Sequence, residues 1–295
     1  MLDPSTFDYN QDALMNQKVH RVRVLNGAIV QDITYASPYG GKVPAYLIAP
    51  AQQAARAGLI FGHWGEGDRE EFVEEATVLA LQGIVSLCPD APRRRPGAYK
   101  SRRSVAPIEL QWIVDVRRGI DLLLRQFGLV PGQIGYVGHS YGASYGGTLA
   151  GIEPRIKASV LMAGWYAVSE LTRTSMHPLL VEQRQNIPPD ILDAYLISIA
   201  PLDARHYISH AAPTRLFFQY ARDDRSVSVE EGQHFFDLAG EPKKIGWYDN
   251  CGHELNAQAR IDRVIWLAEQ LGLAHPSTEV LDLLAQLPAP VPLEN

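Results

Sequence analysis

Gly138-His139-Ser140-Tyr141-Gly142 reads G-x-S-x-G and follows a short apolar run, Ile134 to Val137. In a strand–turn–helix setting this pattern holds a serine on a tight turn, its hydroxyl exposed above a sheet. A Cβ at either glycine would crowd the turn or the neighbouring strand. A serine hydroxyl is a poor nucleophile unaided, so the chain must also supply a base and an acid that orients it. Two later segments offer them. Ala221-Arg222-Asp223-Asp224-Arg225-Ser226-Val227 carries adjacent carboxylates, and Asp249-Asn250-Cys251-Gly252-His253 ends on an imidazole. The pattern recurs at Gly142-Ala143-Ser144-Tyr145-Gly146, but Ser144 falls about one helical turn past the strand. Ser140 is therefore the expected nucleophile and Ser144 the alternative. Gly146, Gly147, Ala150 and Gly151 already let the helix approach the sheet, so packing alone does not account for Ser140.

These groups need elements to bring them together. Ala28 to Ala36 and Val43 to Ala49 alternate on either side of Pro38-Tyr39-Gly40-Gly41 and read as a hairpin. Val19 to Leu25 offers a further edge strand. Leu59 to Gly62 and Ile84 to Cys88 read as buried strands, with a helix between them on Phe72, Ala76, Leu79 and Ala80 that Gly83 ends. Ile108, Trp112, Val116, Ile120 and Leu124 recur every fourth residue and give the clearest helix, opened by Pro107 and closed at Gly128. Further strands are expected at Ile134, Ile156 to Met162, Thr214 to Tyr220 and Lys243 to Tyr248, and helices at Val229 to Leu238 and Leu255 to Leu271. Strands alternating with helices imply parallel crossovers. In such a sheet, groups at the C-terminal ends of strands converge on one edge.

Three stretches stand apart. Residues 1–27 form an N-terminal extension before the main domain, 28–275. Residues 169–212 interrupt the alternation with Pro178, Pro188, Pro189, Pro201 and a helical piece at Ile191 to Ile197, and read as a helical lid or a spacer. Residues 276–295 form a tail with a helix around Val280 to Leu287; docking, pairing with a second subunit and disorder are all open to it. Association into a homo-oligomer is likewise left open.

The composition narrows the class. Across 295 residues the net charge is −6, which argues against nucleic acid, whose phosphates demand a basic face. No apolar run approaches the roughly 18 residues of a membrane span. The acidic, polar start, Met1 to Asp12, lacks a signal peptide's pattern, so a cytoplasmic location is the expectation. Cys88 and Cys251 show no metal-ligand spacing. His253-Glu254 opens an H-E-x-x-H pattern, but Ala257 fills its last position, which excludes a zinc site of that design.

Taken together, these motifs resemble the α/β-hydrolases, and among them the dienelactone-hydrolase-related esterases. The resemblance spans about residues 28 to 271 and rests on Gly138 to Gly142, the D-x-x-V run from Asp224 to Val227, and Gly252-His253 before a terminal helix. It implies a mostly parallel eight-stranded sheet with helices on both faces and a short helical lid. Ser140 would attack an acyl carbonyl, His253 would carry the proton, and Asp224, with Asp223 as alternative, would orient His253. The oxyanion would be held by the backbone N–H of Tyr141 and by Gly65, in the loop Gly62-His63-Trp64-Gly65-Glu66-Gly67. Trp64 stands where many relatives have glycine and could place its indole against the acyl pocket. His63 is expected to order its loop, and His139 to pack or bond locally. No cofactor and no metal are implied.

Substrate hints are weaker. Arg93, Arg94, Arg95, Lys100, Arg102 and Arg103 could clamp an anionic group, or could be a solvated loop neutralised by the acids between Glu66 and Glu75. Trp64, Tyr141, Trp165 and Tyr166 flank the expected catalytic loops and would suit an apolar acyl or aryl group, with ordinary packing the alternative for Trp165 and Tyr166. The reading that follows is a serine esterase acting on a small-molecule ester, with no nucleic-acid or membrane partner. A prolyl-oligopeptidase-like peptidase or amidase competes with it, although Ala143 replaces that class's further glycine. A hydrolase scaffold kept as a binding protein is the third reading.

Overall fold

The burial of each strand follows its residue pattern in the computed structural model, which describes residues 3–95, 107–176 and 178–288. β1 (Lys18–Leu25) interleaves arginine with valine and is exposed along its length. β2 (Ala28–Ala36) and β3 (Lys42–Pro50) alternate between buried and half-buried positions. β4 (Ala57–Gly62), β5 (Ile84–Pro89) and β6 (Ile134–His139) are buried at every residue. That is the signature of strands covered on both faces. β7 (Ile156–Met162) and β8 (Arg215–Ala221) are nearly so, and β9 (Lys243–Tyr248) is half-buried.

These strands form one sheet in the order β1-β2-β3-β5-β4-β6-β7-β8-β9. Pairing is antiparallel from β1 to β5 and parallel from β5 through β4 to β9. The sheet has nine strands, one more than the expected eight. The extra strand is β1, which pairs with β2 from Lys18↔Thr34 to Leu25↔Ala28.

The helices are α1 (Val73–Ala80), α2 (Ile108–Phe127), α3 (Tyr141–Ile152), α4 (Val168–Thr174), α5 (Pro178–Asn186), α6 (Pro189–Ile199), α7 (Val229–Leu238), α8 (Ala257–Gln270) and α9 (Thr278–Gln286). One core joins Ile60, Leu87 and Phe218 of the sheet to Trp112, Val116 and Ile120 of α2, Tyr145 and Leu149 of α3 and Phe235 of α7. The opposite core joins Leu59, Phe61 and Phe217 to Leu79 of α1, Val264 and Leu267 of α8 and Val280 and Leu284 of α9. Each large side chain so buried is worth roughly 1.5–3 kcal/mol over its exposed state. The fourfold repeat in α2 thus marks its sheet-facing stripe, and Gly128, at φ 65°, closes it in the left-handed region.

The three outlying stretches are tied down. Phe7 is buried, and its carbonyl accepts from Arg117, while Arg118 Nη1 donates to the Gln11 carbonyl at 2.7 Å. Between β7 and β8, Leu192, Leu196 and Ile199 make a small apolar cluster of their own. Tyr195 links that insertion to α2 by donating to Glu109 at 2.7 Å. In the tail, Arg260 Nη1 donates to the carbonyls of Leu284 and Leu287 at 2.8 and 3.0 Å, holding the end of α9 against α8. Residues 289–295 lie outside the described residues.

Candidate active site

β6 ends at His139 and α3 begins at Tyr141, which leaves Ser140 alone on the turn with φ 51° and ψ −107°. A non-glycine residue in that region stores of order 1–3 kcal/mol of strain. Close backbone packing enforces it. A Cβ on Gly142 would stand 2.2 Å from the Gly62 carbonyl oxygen, and one on Gly138 would stand 2.5 Å from the Gly142 carbonyl. The same approach lets Gly142 N–H donate to the His63 carbonyl at 3.2 Å. Ala163, Asn250 and Leu255, on the loops after β7 and β9, also carry positive φ (50°, 56° and 61°), so backbone strain gathers on this edge. Ser140 is half-exposed. Ser144 is buried and occupied: its hydroxyl donates to the Ser140 carbonyl at 2.9 Å and accepts from Trp165 N–H at 2.9 Å.

The parallel strands deliver the other groups to the same edge. Asp224 follows β8 and His253 follows β9. His253 Nδ1 lies 2.8 Å from Asp224 Oδ2. A carboxylate there can only accept, so Nδ1 carries the proton and Nε2 presents its lone pair. The other oxygen, Oδ1, accepts the N–H groups of Ser226 at 2.7 Å and Val227 at 3.2 Å, which fixes the carboxylate plane. Asp224's side chain is fully buried, whereas Asp223 is exposed. Among the described residues His253 hydrogen-bonds to Asp224 and, through its carbonyl, to His139; none of these bonds reaches Ser140.

The loop after β4 is held from three sides. His63 Nδ1 donates to the Trp64 carbonyl at 2.6 Å, and its Nε2 accepts from Ala91 N–H at 2.9 Å. Both bonds fit the neutral ring, and burial pushes His63 below the usual imidazole range. It orders the loop and has no lone pair free to act as a base. Trp64 N–H donates to Glu71 Oε2 at 2.8 Å, so that amide is spoken for. Gly65 comes next. A Cβ on it would lie 3.9 Å from Tyr141 Cβ, which puts the Gly65 backbone beside the first residue of α3. Tyr141 N–H, as the first amide of the helix, has no intrahelical acceptor.

His139 packs as expected, buried and with its ring 5.0 Å from that of His253, but its hydrogen bonds reach beyond its own turn. Its Nδ1 lies 2.6 Å from Glu71 Oε1 and its Nε2 lies 2.9 Å from the His253 carbonyl. Burial disfavours its charge, but Glu71 and the carbonyl outweigh burial and raise His139 above the usual range. In the sequence Glu71 stands only as one of the run of acids facing the arginine loop, with nothing that pairs it to His139. Its only local signal is that Glu71 and Glu75 lie four apart, on the inward face of the turn into α1.

The arginine-rich loop divides. Arg93 lies 4.2 Å above the Tyr141 ring and 3.6 Å from Glu109. A Cβ on Gly65 would be 3.7 Å from its Nη1. Arg95 pairs with Asp115 at 2.6 Å. These cations are thus met by acids of α2, not by the run from Glu66 to Glu75, whose members instead bind His139, Tyr46 and Arg263. Lys100, Arg102 and Arg103 lie outside the described residues. Of the aromatic residues, Trp64's indole lies over Gly67, Trp165 N–H is held by Ser144, and Tyr166 packs edge-on against His234 at 4.6 Å. Cys251 is half-buried, and burial together with Glu254 and the neighbouring aspartates pushes its thiol up to about 11, far from a reactive thiolate. Among the described residues, no cluster of three or more His, Cys, Asp or Glu side chains is placed to hold a metal ion. No helix among them is long and apolar enough to cross a membrane.

No protein-family model matches the chain, and no curated protein matches it. Solved structures do. The acetyl xylan esterase from Paenibacillus sp. R4 superposes with a TM-score of 0.73 at 15% identity, over 87% of this chain and 89% of that one. Acetyl xylan esterase 1 from Thermoanaerobacterium sp. JW/SL YS485 gives 0.69 at 12% identity, over 90% and 91%. Est1E from Butyrivibrio proteoclasticus, with ferulic acid bound, gives 0.66 at 18% identity, over 78% and 96%. With the sheet order and the strained serine turn, these likenesses give the chain the α/β-hydrolase fold.

Proposed function

We propose that this protein hydrolyses carboxylic esters through an acyl-enzyme intermediate. The observation that carries the proposal is the 2.8 Å contact from His253 Nδ1 to Asp224, on the same sheet edge as the strained Ser140. Ser140 Oγ attacks the ester carbonyl carbon while its proton passes to His253 Nε2. The carbonyl π bond opens to an oxyanion that the N–H groups of Tyr141 and Gly65 stabilise; a single such donor is worth roughly 3 kcal/mol in the transition state. Asp224 stabilises the imidazolium. The oxyanion collapses, the C–O bond to the alcohol breaks, and the alcohol leaves with the proton from His253. Water then repeats the sequence on the acyl-serine and releases the acid.

Support for an ester over an amide comes from the fold's company, since the three structural neighbours above carry esterase names or an aromatic acid. Trp165, whose backbone N–H is held by Ser144, and Tyr166, which packs on His234 of α7, are the side chains proposed to meet the acyl or aryl group, with Trp64 on the loop after β4. The test is turnover of p-nitrophenyl acetate beside matched anilides. Ser140→Ala lowers ester turnover by about 10³-fold or more, and Ser144→Ala keeps activity within about tenfold. Full activity in Ser140→Ala with loss in Ser144→Ala would overturn the assignment. Faster anilide than ester cleavage would favour the amidase reading.

A further inference from the structure

The buried Glu71–His139 pair ties together three loops that the proposed reaction uses. Glu71 Oε2 accepts the Trp64 N–H at 2.8 Å, one residue before Gly65. Glu71 Oε1 faces His139 Nδ1 at 2.6 Å, one residue before Ser140. His139 Nε2 faces the backbone carbonyl of His253 at 2.9 Å. The carbonyl can only accept, so Nε2 must bear a proton, and the ring spans the gap as a donor. The side chains of His139 and Glu71 are 4% and 3% exposed, so water does not compete for these bonds. The His139 and His253 rings stand 5.0 Å apart. One short chain of hydrogen bonds therefore runs from the oxyanion loop, through the serine turn, to the base loop.

We infer that Glu71 and His139 are a positioning pair, which fixes Gly65, Ser140 and His253 relative to one another and so sets kcat. This inference rests on the esterase reading for its kinetic consequence, but not for its structural one. A buried ion pair is weak evidence for stability, since apolar residues of similar volume often replace such pairs without loss. Geometry is different. A misplacement of about 1 Å can cost about 10²-fold in rate.

The test compares wild type, Glu71→Gln, and the double variant Glu71→Leu with His139→Leu. Near-UV circular dichroism and thermal unfolding establish folding. The first arm is hydrogen exchange over residues 249–255. No amide there loses its own acceptor in the double variant, so faster exchange reports a loosened base loop. The second arm is kcat and KM on p-nitrophenyl acetate. The double variant is expected to exchange faster at 249–255 and to lose about 10²-fold in kcat with KM within about threefold. Glu71→Gln rescues most of the loss, because its amide can accept from Trp64 N–H and donate to Nδ1 while Nε2 keeps its bond to His253. Should the double variant not fold, Glu71→Gln with His139→Leu, which keeps an acceptor for Trp64 N–H and removes both bonds of His139, is read in its place with the same expectation. Unchanged exchange at 249–255, or kcat within about threefold of wild type in a folded double variant, overturns the inference. If wild type turns over no ester at all, the esterase reading falls, and the exchange arm alone decides whether the pair holds the loops.

Discussion

Asp224→Asn separates an orienting carboxylate from a mere neighbour. In the wild type Oδ1 accepts two backbone N–H groups, at 2.7 and 3.2 Å, and Oδ2 accepts His253 Nδ1–H at 2.8 Å. Asparagine has only one oxygen. If that oxygen stays on the two backbone amides, its NH2 group faces His253 and forces the ring into the Nε2–H tautomer, which cannot take a proton from Ser140. If the amide flips to keep the correct tautomer, its NH2 group meets two half-buried N–H donors instead. Each donor left unpaired costs roughly 1–3 kcal/mol, so the wrong tautomer is favoured by about 2–6 kcal/mol. At about 1.4 kcal/mol per tenfold in rate, kcat/KM falls between about 30-fold and about 2 × 10⁴-fold. The upper end is close to the loss known for this substitution in serine proteases, about 10⁴-fold. The assay is p-nitrophenyl acetate turnover at pH 8, with Asp223→Asn as control. Asp223 is exposed, and its substitution is expected to change kcat/KM by no more than about threefold. A loss of under about fivefold in Asp224→Asn, or an equal loss in both variants, would refute the reasoning.

Two further outcomes follow from the same geometry. Gly142→Ala places a methyl 2.2 Å from the Gly62 carbonyl oxygen, where both partners are backbone, and urea unfolding should show a loss of about 3 kcal/mol or more; a change under about 0.5 kcal/mol would mean the elbow can open without cost. His139, faced by Glu71, by the His253 carbonyl and at longer range by Asp224, is raised despite its burial. A group raised in the folded state gives stability that is complete below its unfolded value, about 6.5, and lost as pH rises through the folded value. The stability of wild type relative to Glu71→Leu with His139→Leu should therefore shrink as pH is raised from 6, and a relative stability that is flat or grows with pH would contradict the raised value.

The sequence carried what is local. The elbow is legible because G-x-S-x-G encodes a turn whose glycines each face a fixed obstacle, Gly62 for Gly142 and Gly142 for Gly138. The buried strands and the α2 stripe are legible because apolar residues repeat with the period of the element. The D-x-x-V run favoured Asp224 and left Asp223 as the alternative; what sets the two apart structurally is that Asp224 accepts the Ser226 and Val227 amides, a contact spacing does not show. Nor could spacing show that β3 lies beside β5 rather than β4, since a crossover leaves no mark on either strand. Least legible was Glu71. Its partners are 7 and 68 residues away, and in the sequence it is one acid among six. The same blindness to distant pairing offered the acids between Glu66 and Glu75 as partners for the arginine loop, whereas α2 supplies Glu109 to Arg93 and Asp115 to Arg95.

The central claim is that Ser140 forms a covalent acyl bond. Treating the protein with a fluorophosphonate and mapping the adduct by peptide mass spectrometry tests it directly. A single adduct on Ser140, absent from Ser140→Ala and slowed in Asp224→Asn, is the expected result. An adduct on Ser144, or none on a protein that nonetheless turns over esters, would contradict it.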